Sequence, residues 1–267
     1  MTRKHAFMRV HRIQELAYMR LPKTAALTSA LMFALAAPSL AECKNPPAAG
    51  VDWSNCSKKL LMLGGADLKE ATLVDANLTS TDFSNARLAG SNLDRADITY
   101  ASFKQADLTG ASMLKTSGNR TVFAGATLDK ANMDAIELFR ADFSGASLAG
   151  ANLSRASMPR TMFDNANLAG ADLQKSDMIR SSFNGADLRG VNMTFAILAR
   201  SSFDGAQLEG SDWTNTYLYR TRLQGVDLSG VTGLTDGQVA LACGDDDTRL
   251  PEGVSRPERW PCAPQDD

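Results

Sequence analysis

Histidine is almost missing: His5 and His11 are the two in the chain, and both lie within the first eleven residues. The remainder therefore lacks the side chain best suited to general acid–base work near neutral pH, and the commonest zinc ligand with it. Aromatic residues make up only 7% of the 267, while Ala, Leu, Asp, Asn, Ser and Gly carry most of the sequence. Side chains that small cannot fill a wide interior at native packing density, so any core must be thin. Apolar runs are scarce as well. The stretch TAALTSALMFALAA (24–37) is about fourteen residues, short of the ~20 that a membrane-spanning helix needs. These shortages argue against an enzyme built on His or metal chemistry; no catalytic set, metal site or cofactor is expected.

Neither charge sign dominates the whole chain, which carries a net −2, yet the charges are unevenly placed. Residues 1–41 hold six Lys/Arg and one acid, Glu15, leaving 22 basic and 29 acidic residues beyond them. A basic start, the apolar run, and the small residues Ser39 and Ala41 before Glu42 read as a signal peptide over 1–41. Its leading stretch is long, and initiation at Met19 gives the more usual start MRLPK before the apolar run. An uncleaved anchor is the alternative. Lipidation of Cys43 is disfavoured, because Glu42 stands where a small residue is required. The expectation is a periplasmic or secreted protein with no membrane span once the leader is removed.

In an oxidising compartment an even cysteine count reads as disulfides. Cys43, Cys56, Cys243 and Cys262 allow three pairings. If the region between them is an extended rod, only the local pairs 43–56 and 243–262 bring Cα atoms within the ~7 Å that a bridge spans.

That region is repetitive. Between residues 66 and 230 the chain follows a five-residue rule, small-polar-large-x-x, as in ADLKE, ATLVD, ANLTS, TDFSN and ARLAG. Every fifth residue from Leu68 to Leu228 is Leu, Phe, Met, Ile or Trp, at 33 positions with Gly118 the one exception. A longer period lies on top. Phe83, Phe103, Phe123, Phe143, Phe163, Phe183 and Phe203 recur at twenty, and a column of leucines from Leu68 to Leu228 does the same. Five-residue units alone do not demand such columns; stacked coils of twenty residues do, because each residue then packs on its counterpart one layer away.

These residues resemble the pentapeptide-repeat family, whose motif is A(D/N)LXX, over about 165 residues. The resemblance implies an all-β fold, a right-handed quadrilateral parallel β-helix. Four pentapeptides make one square coil, and the central residue and the one two before it point inward. About eight coils at ~4.8 Å spacing predict a rod ~40 Å long. Two residues after the Phe column and after the Leu column stand mostly Gly or Asn, such as Asn165, Gly185 and Gly190. Both types tolerate the positive φ of a tight corner, so two corners are expected to differ from the other two. At Gly118 a large side chain is missing. Either Ile136, one layer on where Ala is usual, fills the gap, or the coil is loosened there.

Open coil ends invite aggregation, so a solenoid needs caps. The expected organisation is a leader at 1–41, an N-terminal cap at 42–63 with Trp53, repeats over 64–230, and a C-terminal cap over 231–267. In the last, Thr235 with Gln238 three residues on is a capping-box pattern for a short helix, and Gly244 reads as its stop. The tail GDDDTRLPEGVSRPERWPC is similar to tails of bacterial pentapeptide-repeat proteins.

One side departs from the motif. Arg120, Arg140, Arg160, Arg180, Arg200 and Arg220 occupy the last repeat position on a single side, preceded by Ser80 and Tyr100. Unit charges ~4.8 Å apart repel by ~0.9 kcal/mol in water before screening. Asp97, Glu137 and Asp177 share the face, so one reading is a solvated, partly paired ladder multiplied by duplication. The other is an anion-binding stripe, since guanidinium groups contact carboxylate or phosphate in bidentate fashion. Phe139, Ile179, Phe195, Ile197, Tyr217 and Tyr219 flank it as exposed apolar residues, which makes the side a candidate interface.

The expected function is an exported, non-enzymatic binding or structural protein. Its partner is an unknown protein or an anionic envelope component, with self-association through coil ends or faces left open. The resemblance also implies an alternative, because some family members resemble duplex DNA in shape and charge and bind DNA gyrase. Export leads away from gyrase. Residues 64–230 hold 16 basic and 19 acidic side chains, with arginines where such a mimic needs carboxylates. Nucleic-acid binding is not expected either, on the same ground of compartment.

Overall fold

The computed structural model describes residues 43–261. The leader, the Met19 start and Cys262 lie outside the described residues.

The five-residue rule turns directly into backbone geometry. The polar residue at the second repeat position sits in a parallel bridge with its counterpart twenty residues on, as in Asp52↔Thr72, Asp82↔Ser102, Asp142↔Met162 and Asp212↔Thr232. Its neighbours on either side turn inward, and the last two residues make the turn to the next side. Phe83 N–H donates to Ser102 O (2.7 Å) and Arg87 N–H to Ala66 O (2.9 Å), so each coil is bonded to the coil before and the coil after it. Long strands cannot form where the chain bends every five residues. Only β1 (Ser117–Asn119) and β2 (Glu137–Phe139), paired in parallel, extend over three residues.

Every residue whose number is a multiple of five, from Gly50 to Gly225, has φ between 52° and 71°. The expected division into two Gly/Asn-rich corners and two others is therefore one of side chains alone. All four corners of a coil take the left-handed conformation, and only the side chains there differ. Non-glycine residues adopt it at a cost of ~1–2 kcal/mol each; the ladder bonds on both sides of the corner hold them there. The preference for Asp or Asn at the second position also has a local cause. Its carboxylate or amide oxygen accepts the N–H two residues on, as in Ser84 to Asp82 (2.9 Å) and Ser154 to Asn152 (3.0 Å).

The core is as thin as the composition requires. Seven phenylalanines from Phe83 to Phe203 form one stack with ring centroids 4.5–5.2 Å apart and planes within 14°. Ala residues one repeat step away are buried beside the Leu columns. Several inward Thr and Ser hydroxyls donate to a carbonyl of the preceding coil, as Thr116 does to Leu93 O (2.7 Å) and Thr221 to Leu198 O (2.8 Å), while Ser176 and Ser211 donate to the carbonyl three residues before them. Gly118 is no void. A Cβ there would lie 2.6 Å from Thr121 Oγ1, 2.9 Å from Ile98 Cγ1 and 3.0 Å from Leu138 Cδ2. These three, rather than Ile136, crowd the position, and the backbone straightens into β1 and β2.

The coils reach beyond 64–230 at both ends. The first bridge begins at Asp52, and Lys58 takes the place of an inward leucine, its ammonium 3.7 Å from the Trp53 ring centroid and donating to Cys43 O (2.7 Å). Cys43 and Cys56 are bridged, with Cα atoms 5.4 Å apart. Cys243 is also disulfide-bonded. At the other end the offset lengthens, to Arg222↔Cys243 and Asp227↔Arg249, because the helix α1 (Asp236–Val239) and a loop are inserted. The capping box forms as expected, with Thr235 and Gln238 bonded reciprocally. Gly244 has a different role from the one expected. It is not in the left-handed region, and a Cβ there would meet the Trp260 ring at 2.4 Å, so glycine admits the buried tryptophan that covers the end.

Candidate functional site

The arginine side consists of the four residues between two corners, for example 176–179 between Lys175 and Arg180, and 196–199 between Phe195 and Arg200. Arg120, Arg140, Arg160, Arg180, Arg200 and Arg220 are all exposed, at corners with φ of 52–60°. Exposed Tyr100 heads the same column. Each arginine is welded to the coil after it. Its N–H donates to Phe139 O from Arg120 (2.8 Å), to Pro159 O from Arg140 (3.1 Å) and to Ile179 O from Arg160 (2.8 Å). The series continues to Ala199 O from Arg180 (2.9 Å), to Tyr219 O from Arg200 (2.9 Å) and to Leu241 O from Arg220 (2.8 Å). A cationic ladder thus runs beside an apolar one, in register.

The guanidinium groups of this ladder form no ion pair among the described residues. The salt bridges there belong to Arg87, Arg95, Arg155, Arg189, Arg249 and Arg256. Two of the three acids expected to offset the stripe are held by their own turns, while Glu137 is exposed between Arg120 and Arg140 and forms no ion pair among the described residues. Asp97 accepts from Thr99 N (3.0 Å) and Thr79 Oγ1 (3.2 Å), and Asp177 from Ile179 N (3.0 Å). Two arginines instead lie over neighbouring rings, Arg140 at 5.1 Å from the Phe139 centroid and Arg220 at 5.6 Å from that of Tyr219.

The structure brings the expected apolar residues to this side, with distinctions. Phe139, Ile197, Tyr217 and Tyr219 are exposed on it, and the two tyrosine rings stack 6.3 Å apart. Phe195, 51% exposed, stands at the opposite corner and forms the far edge. Ile179 is only half-buried rather than exposed. Ile197 and Tyr217 replace the Asp or Asn that would bond the turn. Leu241, exposed just after α1, was not foreseeable as a member: the inserted residues break the count of twenty, and only the ladder bond from Arg220 reveals that it continues the apolar column. It also lines an open depression of about 420 Å³ with Tyr217, Thr235 and Gln238. A second depression of about 370 Å³ lies at β1 and β2, between Gly118, Phe139 and Pro159. Among the described residues no group of His, Cys, Asp and Glu is placed to hold a metal ion.

A parallel coil of five-residue units, presenting one cationic and apolar side, defines a repeat solenoid. The sequence comparisons give its family. The description "Pentapeptide repeats (8 copies)" matches segments between residues 63 and 174, and "Pentapeptide repeat region" matches 156–232. The chain belongs to the pentapeptide-repeat family. Among solved structures it is similar to HetL, a pentapeptide repeat protein involved in heterocyst differentiation regulation from the cyanobacterium Nostoc. That match has 25% identity and a TM-score of 0.48, over 79% of this chain and 91% of that one. It is also similar to QnrB1, a plasmid-mediated fluoroquinolone resistance protein, at 19% identity over 71% and 94% of the two chains, with a TM-score of 0.38. A pentapeptide repeat protein from the Arabidopsis thaliana thylakoid lumen matches at 26% identity over 48% and 81%, with a TM-score of 0.28. No curated protein matches.

Proposed function

We propose that this protein is an exported, non-enzymatic binding protein whose arginine side is its contact surface for an anionic or protein partner. The observation that carries this is the set of six exposed guanidinium groups with no carboxylate partner among the described residues, set beside an apolar ladder. Apart from the rings under Arg140 and Arg220, these side chains find little within the fold to offset their mutual repulsion along the column. Desolvated against a partner's carboxylates or phosphates, the same charges become favourable. Export is supported by the Cys43–Cys56 disulfide, a bond suited to an oxidising compartment. A right-handed sense and disulfide-tied ends belong to the same proposal, as does a coil number above the expected count of about eight, since the bridges run from Asp52 to Arg249. Mimicry of duplex DNA towards gyrase is the weaker reading, because its contact surface would have to be anionic.

The test is capture from the envelope of cells making a crosslinkable form. Arg160→Glu, Arg180→Glu and Arg200→Glu together should abolish salt-sensitive capture while the melting curve persists. Undiminished capture by the triple variant discards the arginine side as the surface.

A further inference from the structure

Resting on that reading, we propose that the arginine side receives an α-helix of a partner protein, one that presents an acidic side chain once per turn beside an apolar one. The ridge sets the spacing. Adjacent coils are 4.5–5.2 Å apart at the phenylalanine stack, so the five steps from Arg120 to Arg220 cover about 24 Å. An acid on each helical turn recurs every ~5.4 Å and drifts from the ridge by ~3 Å over those five steps. Arginine side chains absorb that. Alternate residues of a β-strand recur every ~6.7 Å and drift by ~9 Å over the same distance. Phosphates of one DNA strand rise ~3.4 Å each along the duplex axis while winding around it, so they do not follow a straight ridge.

The second ladder separates a helix from a bare polyanion. One apolar residue per coil accompanies each arginine, exposed at Phe139, Tyr219 and Leu241 and buried at Ala199, where exposed Ile197 and Tyr217 widen the strip. Beyond Asp177 this side carries no acid as far as Arg220. Residues three and four apart on a helix share a face, so an acidic stripe and an adjoining apolar stripe can occupy both ladders at once. No helix of this length exists among the described residues, where α1 spans four residues. Residues 1–41 hold one acid, Glu15, too few for the required stripe, so the occupant is assigned to another molecule.

The test is fluorescence anisotropy with the purified protein and labelled peptides of about 18 residues, ~27 Å long as a helix. One peptide carries Glu and Leu in adjoining stripes, each once per turn; an isomer of equal composition scatters them around the helix. Poly-glutamate of equal charge and a short DNA duplex are the other probes. At low salt the striped peptide should bind roughly tenfold tighter than the isomer and gain helical circular dichroism as it binds. Arg160→Gln, Arg180→Gln and Arg200→Gln together should remove that binding, and Tyr217→Ser with Tyr219→Ser should weaken it, with melting curves retained. Equal binding of the peptide, its isomer and poly-glutamate overturns the helix and leaves an anion-binding stripe. A preference for the duplex overturns it in favour of nucleic acid. No binding by any probe overturns the helix and the contact surface together.

Discussion

If the ridge serves a partner rather than the fold, removing a charge from it must stabilise the free protein. Arg180 is the sharpest case, because Arg160 and Arg200 flank it one coil away on either side. The stacked rings at the same levels place neighbouring coils 5.0 Å and 4.9 Å apart. At about that distance each flanking charge repels Arg180 by about 0.8 kcal/mol in water, about 1.7 kcal/mol for the two, and roughly half of it survives at physiological salt with a Debye length of about 8 Å. Arg180→Gln removes this term, and Arg180→Glu replaces it by attraction of similar size. The backbone cost stays constant across the series, since Gln105 and Glu70 already occupy left-handed corners in this chain. A gain of 1 kcal/mol raises the melting temperature by about 2–4 °C for a domain of this size. At low salt the order of melting temperatures should be Glu above Gln above Arg. The differences should shrink toward 1 M salt, where the Debye length is about 3 Å. Urea rather than guanidinium is the denaturant for the parallel measurement, because guanidinium would screen the effect under study. A wild-type protein more stable than both variants at low salt would falsify the unpaired ridge: Arg180 would then have a carboxylate partner in solution.

Phe143→Ala should destabilise by about 3–5 kcal/mol through the cavity it leaves. Phe83→Ala should cost less, by ~0.5–1.5 kcal/mol, because Phe83 stacks on Phe103 alone while Phe143 lies between Phe123 and Phe163. Equal urea midpoints for the two variants would contradict the column. The turn carboxylates set the acid limit. The Ser84 hydroxyl and amide hold Asp82 below the usual carboxylate range, the Arg189 guanidinium does so for Asp187, and the Ser229 hydroxyl and amide for Asp227. Their folded-state pKa values are depressed, so the stability they give is complete above the unfolded value of ~3.9 and is lost as pH falls through the depressed values. Asp82→Asn, Asp187→Asn and Asp227→Asn together keep an acceptor in each turn and should flatten the fall in melting temperature below about pH 4. An acid limb as steep as in the wild type excludes these carboxylates as its cause.

The columns were legible because vertical stacking makes each residue's best neighbour its own counterpart, so Phe over Phe and Leu over Leu leave a period of twenty in the chain. The limits of the coil were not. Lys58 hides the first coil by putting an ammonium where the motif has an apolar residue, and α1 hides the last by shifting Cys243 and Arg249 out of count. Nor was the left-handed conformation of Arg120 or Phe195 legible, since neither residue type favours it. There the inter-coil bonds override local preference. The same priority explains why charge counting misjudged the arginine side. Asp97 and Asp177 lie on that face, yet each directs its carboxylate to the amide two residues on, because the repeat uses the second position to close its own turn. An acid at that position bonds its own turn and meets a guanidinium only where one lies within reach, as Asp187 meets Arg189 and Asp227 meets Arg249. Corner arginines elsewhere in the chain do find acids, Arg95 at Asp75 and Arg155 at Asp134. On the Arg120–Arg220 side no such pair forms among the described residues, and beyond Asp177 that side carries no acid as far as Arg220, so under the proposed function the carboxylates that match the ridge come from a partner.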